Sequence, residues 1–104
     1  MADNTQAHNA LCRQVAEYIA WNGGYLVKNW GGPIGAKGRP DFEGCMAGKF
    51  VAIEVKTGTG ELSKDQRDHM RRIVEAGGIF IEARTLEFVE DTLFEHGLVA
   101  KRLL

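Results

Sequence analysis

The sequence predicts an α/β fold, a mixed central β-sheet flanked by helices, in the order helix, three strands, helix, strand, helix. Three observations carry this. Apolar residues recur at helical spacing in the first fifth of the chain and again beyond residue 64; β-branched and aromatic runs of four to eight residues lie between them; and glycine or proline clusters separate the two kinds of segment. A hairpin followed by a helix and a further strand gives a mixed sheet rather than a purely parallel one.

From about Asn4 to Asn22, Leu11, Val15, Tyr18 and Ile19 fall on one stripe, and Gly23 and Gly24 close the helix. "YLVKNW" (Tyr25 to Trp30) reads as a strand and "GGPIGAKGRP" as the loop after it. "DFEGC" then runs out, "MAG" turns at Gly48, and "KFVAIEVK" (Lys49 to Lys56) runs back. After "TGTGE" a second helix covers about Lys64 to Ala76, ended by Gly77 and Gly78; "IFIEAR" (Ile79 to Arg84) is the last strand. "TLEFVEDTLFEHG" is a third helix, with Thr85 near its cap and Gly97 beyond its end.

A chain of 104 residues that is 44% hydrophobic is the size of one domain, so residues 1–104 are expected to share a single core. No stretch approaches the roughly 18 to 20 consecutive apolar residues of a membrane span. The polar start "MADNTQAHN" lacks the basic and apolar regions of a signal peptide, so the expected location is cytoplasmic. The two cysteines, Cys12 and Cys45, suggest no disulfide framework, and the three histidines lack zinc-site spacing. A net charge of −1 does not by itself announce a nucleic-acid binder. That objection weakens if some carboxylates hold a divalent cation, which cancels their charge locally.

The chemistry concentrates in the hairpin. Along "KFVAIEVK", Val51, Ile53 and Val55 share one face, while Phe50, Ala52, Glu54 and Lys56 share the other. Glu54 and Lys56 thus stand about 7 Å apart on a strand that should be dry. Removing an ion from water costs several kcal/mol, so such a pair needs a wet strand end or a compensating partner. A strand-end salt bridge is the plainer explanation of an isolated Glu-x-Lys. Asp41 changes the balance. It starts the adjacent strand behind Pro40, whose fixed φ also forces Arg39 to be extended, and folding at "MAG" brings Asp41 near Glu54. Two adjacent carboxylates repel unless one is protonated or a cation lies between them. A hard divalent ion, Mg²⁺ or Mn²⁺, held by Asp41, Glu54 and the Val55 carbonyl is the economical solution. Lys56 beside it could position or deprotonate a water, or stabilise charge on a phosphorane.

Pro40-Asp41 followed by Glu54-Val55-Lys56 resembles the motif of the PD-(D/E)XK nuclease superfamily. The longer run from "GRPDF" through "GKFVAIEVKTGTGELSKDQ", with "AGG" at Ala76 to Gly78, is similar to its VRR-NUC branch, particularly the small stand-alone phage and bacterial members. The match covers about Gly32 to Gly78. It implies a restriction-endonuclease-like fold and a metal-dependent DNA endonuclease in a bacterial or phage-infected cytoplasm. Asp41, Glu54 and the Val55 carbonyl would be the metal ligands, Lys56 the catalytic lysine and Gln66 the glutamine of the second helix. The resemblance further implies a homodimer that cuts branched DNA such as four-way junctions. In one place the chain departs from the pattern: such nucleases often carry an acidic ligand in the first helix, but here the obvious acid, Glu17, lies nearly opposite the apolar stripe. His8 is on the inward phase instead, either as a core histidine or as a site residue holding water or phosphate.

Gln66 falls in phase with Met70, Ile73 and Val74 on an expected inward stripe, yet Ser63-x-x-Gln66 is equally a capping box. Lys64, Arg67 and Arg71 form a basic ridge on the second helix, and Lys37 and Arg39 lie in the glycine-rich loop. They could track a phosphate backbone or simply solvate a helix face. Their small number favours a dimer, which doubles the footprint. The competing readings are a DNA-binding module that keeps the fold without cutting, and a structural domain in which Asp41, Glu54 and Lys56 form only an ion-pair network. RNA as substrate is also compatible with the motif.

Overall fold

The structure is a computed structural model that describes residues 3–29 and 37–100. Trp30 and the part of the glycine-rich loop at 30–36 lie outside the described residues. The elements are α1 (Asp3–Trp21), β1 (Tyr25–Lys28), β2 (Phe42–Met46), β3 (Lys49–Val55), α2 (Lys64–Glu75), β4 (Ile79–Ala83) and α3 (Leu86–Glu95). The strands form one four-stranded mixed sheet in the order β1-β2-β3-β4. β1, β2 and β3 pair antiparallel, and β4 joins β3 in parallel through the α2 crossover. The expected α/β architecture is what the chain adopts.

The core lies on the face of the sheet that carries Val51, Ile53, Val55, Ile79, Ile81 and Ala83. Leu11, Cys12, Val15 and Ile19 of α1 and Val89 and Leu93 of α3 close over it. Both α2 and α3 are fixed at their ends by local chemistry. In α3 the Thr85 hydroxyl accepts the Phe88 N–H at the start, and Gly97, at φ 76, lets Leu98 donate back to the Leu93 carbonyl.

Among the described helices it is α2 that lies on the opposite face, and α2 has no buried residue. Met70 and Ile73 are half-buried, but Val74, expected on the inward stripe, is 54% exposed. The reason is geometric. A helix lying by itself on a sheet contacts it along a narrow strip, so a position at the edge of the apolar arc faces water. Phe50 likewise stays 41% exposed at the margin of α2.

The hairpin turn sits at Ala47 and Gly48, with φ of 51° and 82°. Positive φ at both central residues matches the twist of the strands, and it fixes the register that pairs Phe42 with Ile53. Alanine is a poor occupant of that conformation. Replacing the exposed Ala47 with asparagine should stabilise the protein by about 0.5–1 kcal/mol, which urea denaturation would detect and which corresponds to a rise of a few degrees in Tm.

Candidate functional site

The site forms at the carboxyl end of β3, where the β2–β3 ladder stops. Pro40 is buried just before β2. Lys56 gives its N–H to the Ala83 carbonyl, so the adjacent Val55 turns its own N–H and C=O toward β2. Continuing the register by two residues places Val55 opposite Pro40, which has no N–H for that carbonyl. The Val55 N–H donates instead to Asp41 Oδ2, at 2.8 Å. Asp41 in turn gives its backbone N–H to Glu54 Oε1, at 3.2 Å. Side-chain carboxylates thus replace the missing rungs, and each is held by the backbone next to the other.

Asp41 is gripped from two further directions. His8 Nε2 of α1 is 3.3 Å from Oδ2, and Lys28 Nζ, at the end of β1, is 3.5 Å from Oδ1. Asn29 fixes the approach by donating its backbone N–H to the Asp41 carbonyl and its side-chain amide to the Pro40 carbonyl. Gly38, at φ 80, passes so close to α2 that a Cβ there would lie 2.5 Å from the Asp65 backbone. That contact sets where Arg39, Pro40 and Asp41 begin.

Glu54 is 5% exposed and is the buried charged residue among those described. Its Oε2 receives the Gln66 amide at 3.1 Å and lies 3.7 Å from Lys56 Nζ. Both readings of Gln66 hold together. Its carbonyl oxygen accepts the Ser63 N–H at 2.8 Å, completing the capping box of α2, while its amide nitrogen reaches Glu54. An open cleft of about 320 Å³ leads in, lined by His8, Glu54, Val55, Lys56 and Thr57 among others. Asp41 joins this cleft through His8 and the Val55 N–H. Glu17 is exposed on the far side of α1, so within this helix it is His8 that reaches the site.

The electrostatics follow from crowding. Burial, and then the negative charge of Asp41, push the Glu54 carboxyl from 4.5 up to about 7, against the pull of Lys56 and of the Asp41 N–H. Without a cation this carboxyl is partly protonated at neutral pH. Burial and Asp41 also raise the thiol of Cys12 to about 11, with Lys28 opposing. Cys12 lies one turn from His8, its Sγ 3.7 Å from His8 Nδ1.

The basic residues are less convergent. Arg39 is paired with Glu43, Arg71 spans Asp68 and Glu75, and Arg67 gives an N–H to the Leu62 carbonyl. Lys37 and Lys64 are exposed and make no salt bridge among the described residues. Lys28, Asn29, Cys12 and Arg84 are the participants that the sequence reading missed. Arg84 donates to the Gly58 and Gly60 carbonyls and so ties down the loop after Lys56. The one signal for Lys28 was a lysine inside the expected strand Tyr25 to Trp30, close to the loop that leads to Asp41; the strand itself ends at Lys28.

The raised Glu54 carboxyl has a consequence for stability. Between pH 4.5 and about 7 the unfolded chain releases this proton while the folded chain retains it, so the folded state is penalised progressively as pH rises. The metal-free protein should therefore lose Tm across that window relative to the Glu54→Gln variant, in parallel thermal melts from pH 4 to pH 8.

Comparison of the chain with protein-family models, with curated proteins and with solved structures gives no match.

Proposed function

We propose that the protein is a divalent-metal-dependent DNA endonuclease that hydrolyses phosphodiester bonds and acts on branched DNA, four-way junctions in particular. One observation carries this reading. Two carboxylates, Asp41 and Glu54, meet at a strand end beside a carbonyl that lacks a ladder donor, with the Lys56 ammonium 3.7 Å from Glu54 at the mouth of a cleft. A structural ion-pair network needs neither the gap in the ladder opposite Pro40 nor the cleft.

The donor set fits Mg²⁺ or Mn²⁺. The carboxylates of Asp41 and Glu54 and the Val55 carbonyl are all hard oxygens, and a cation would offset both the burial and the Asp41 charge that raise the Glu54 carboxyl. When bound, the ion supplies Lewis acidity toward phosphate oxygen and makes a neighbouring water a better nucleophile. The remaining work falls to the chain. Lys56, anchored by Glu54 and lining the cleft, orients the attacking water or stabilises negative charge building on the phosphoryl oxygens. Gln66 holds the Glu54 carboxylate in place, and His8 does the same for Asp41. Lys37 and Lys64 offer charge for phosphate contacts, while Arg39, Arg67 and Arg71 would have to exchange internal partners for DNA. Two copies of the chain around a twofold axis would place two such sites on one junction.

Purified protein incubated with linear, flapped and four-way-junction DNA should cut in Mg²⁺ or Mn²⁺ and stop with chelator. Asp41→Ala and Glu54→Ala should abolish cleavage and weaken metal binding. Lys56→Ala should keep the metal and lose roughly 10²-fold or more in rate. Undiminished cutting by Lys56→Ala, or binding without cutting in every metal, would defeat the proposal, the latter in favour of a DNA-binding module.

Gln66 permits a separate test of positioning. Gln66→Glu preserves the capping box, since glutamate serves equally at that position, but removes the amide that Glu54 accepts. Its circular dichroism should match the wild type while its cleavage rate falls.

A further inference from the structure

Among the described residues, one group of soft and hard ligands borders the proposed catalytic centre and shares Asp41 and its neighbour His8 with it, while its cysteine has no part there. We infer that His8, Cys12 and Asp41 form a binding site for a thiophilic divalent cation of the Zn²⁺ class, which competes with the hard cation because both need Asp41. The binding half of this inference stands on the three side chains alone. The inhibitory half rests on the nuclease reading.

The geometry is close to that of a three-ligand zinc centre. His8 and Cys12 are four residues apart on α1 and so project from the same face. One ligand atom from each of His8, Cys12 and Asp41 can be chosen so that all lie within 4.8 Å of one another. His8 Nε2 is 3.3 Å from Asp41 Oδ2 and 4.0 Å from Cys12 Sγ. Tetrahedral bonds to nitrogen, oxygen and sulfur place such atoms about 3.3–3.6 Å apart. Closing the set from within 4.8 Å around an ion therefore asks any two ligand atoms to approach by at most about 1.2 Å. Lys28 engages the other Asp41 oxygen, Oδ1, while Oδ2 accepts the Val55 N–H and also faces the imidazole, so an ion there would take the remaining lone pair of Oδ2. The fourth position would be completed by water from the cleft that His8 lines.

Ligand softness separates the two ions. Mg²⁺ prefers oxygen ligands and does not favour a thiol, whereas a cysteine sulfur and an imidazole select zinc-like ions. On binding, the Cys12 thiol gives its proton to solvent and coordinates as thiolate. Asp41 then spends its Oδ2 on the new ion, and a second cation held a few ångströms away by Glu54 would meet electrostatic repulsion.

The test uses the intact protein and Co²⁺ as a spectroscopic substitute for Zn²⁺. The expected result is one equivalent of Co²⁺ bound with a thiolate-to-metal charge-transfer band that Zn²⁺ abolishes. Cys12→Ser and His8→Ala should lose the band, and Cys45→Ser, which alters the other, exposed cysteine, should keep it. Zn²⁺ affinity measured against a chelator should fall in Cys12→Ser by at least the roughly 10- to 100-fold that loss of an outer partner costs a metal site. Cys12→Ala serves as a second variant should a buried hydroxyl disturb the fold, which circular dichroism would show. Absence of the band, or a band that follows Cys45, overturns the site. In junction cleavage with Mg²⁺, Zn²⁺ should lower the wild-type rate over the range that fills the site, and should not lower the Cys12→Ser variant's own rate. Equal sensitivity of both overturns the inhibitory half. Should neither protein cut DNA, the nuclease reading fails while the cobalt band still decides the metal site.

Discussion

A carboxylate buried in the middle of a sheet is the constraint on which the rest of this structure depends. Glu54 is almost wholly removed from water, and desolvating a charge costs more than one surface-type ion pair returns. The chain meets that cost with several donors at once: the Asp41 N–H, the Gln66 amide and the Lys56 ammonium. Each comes from a different segment, so the position of α2, the start of β2 and the exit of β3 are all tied to one side chain. Register makes this unforgiving. A slip of one residue between β2 and β3 would turn Glu54 into the α1–α3 core and Val55 out of it. The apolar triplet Val51, Ile53 and Val55 on the core face therefore protects the polar site as much as it builds the interior.

What could be read from the sequence was whatever is encoded locally. The alternation along β3, the turn at Ala47 and Gly48, and the caps at Ser63 and Thr85 depend on residues within a few positions of each other, and all appear where the pattern placed them. Asp41 could be paired with Glu54 because a hairpin turn converts sequence distance into register. Lys28 could not be placed the same way. Its approach to Asp41 depends on how β1 pairs with β2, and the loop between those strands carries no register signal. Cys12 and Cys45 both read by type as small packing residues or unreactive thiols; Cys45 is exposed, whereas Cys12 is buried, and its neighbour His8 gives it a second setting that only the meeting of α1 with the strand end discloses. The error at Val74 has the opposite origin. Helical phase was right for Gln66, Met70 and Ile73, but phase says nothing about how wide a face will be covered.

Gln66 shows why two explanations of one residue need not compete. A glutamine has a carbonyl and an amide at the same end, and a capping box uses the carbonyl alone. The amide is left over. In most helices it would face water, but α2 begins directly above the end of β3, so the leftover donor meets Glu54. The start of the helix and the orientation of the buried carboxylate are thus set by the two halves of a single side chain.

The same economy bears on charge. The Arg39–Glu43 and Arg71–Asp68 pairs neutralise basic surface in the free protein, which is how a chain of net charge −1 can carry arginines near the proposed catalytic cleft. Exposed pairs of this kind contribute little to stability, roughly 0–1 kcal/mol each, so a phosphate backbone can displace the carboxylates at small cost. The buried pair cannot be treated alike. Around Glu54 and Asp41 the bonds are desolvated, reciprocal and shared with the backbone, and burial first, then the charge of Asp41, keeps the Glu54 carboxyl raised. Surface charges here are exchangeable and the interior ones are fixed, a division that would suit the proposed nuclease, whose outer residues would release and rebind a long anion while its inner ones held a cation still.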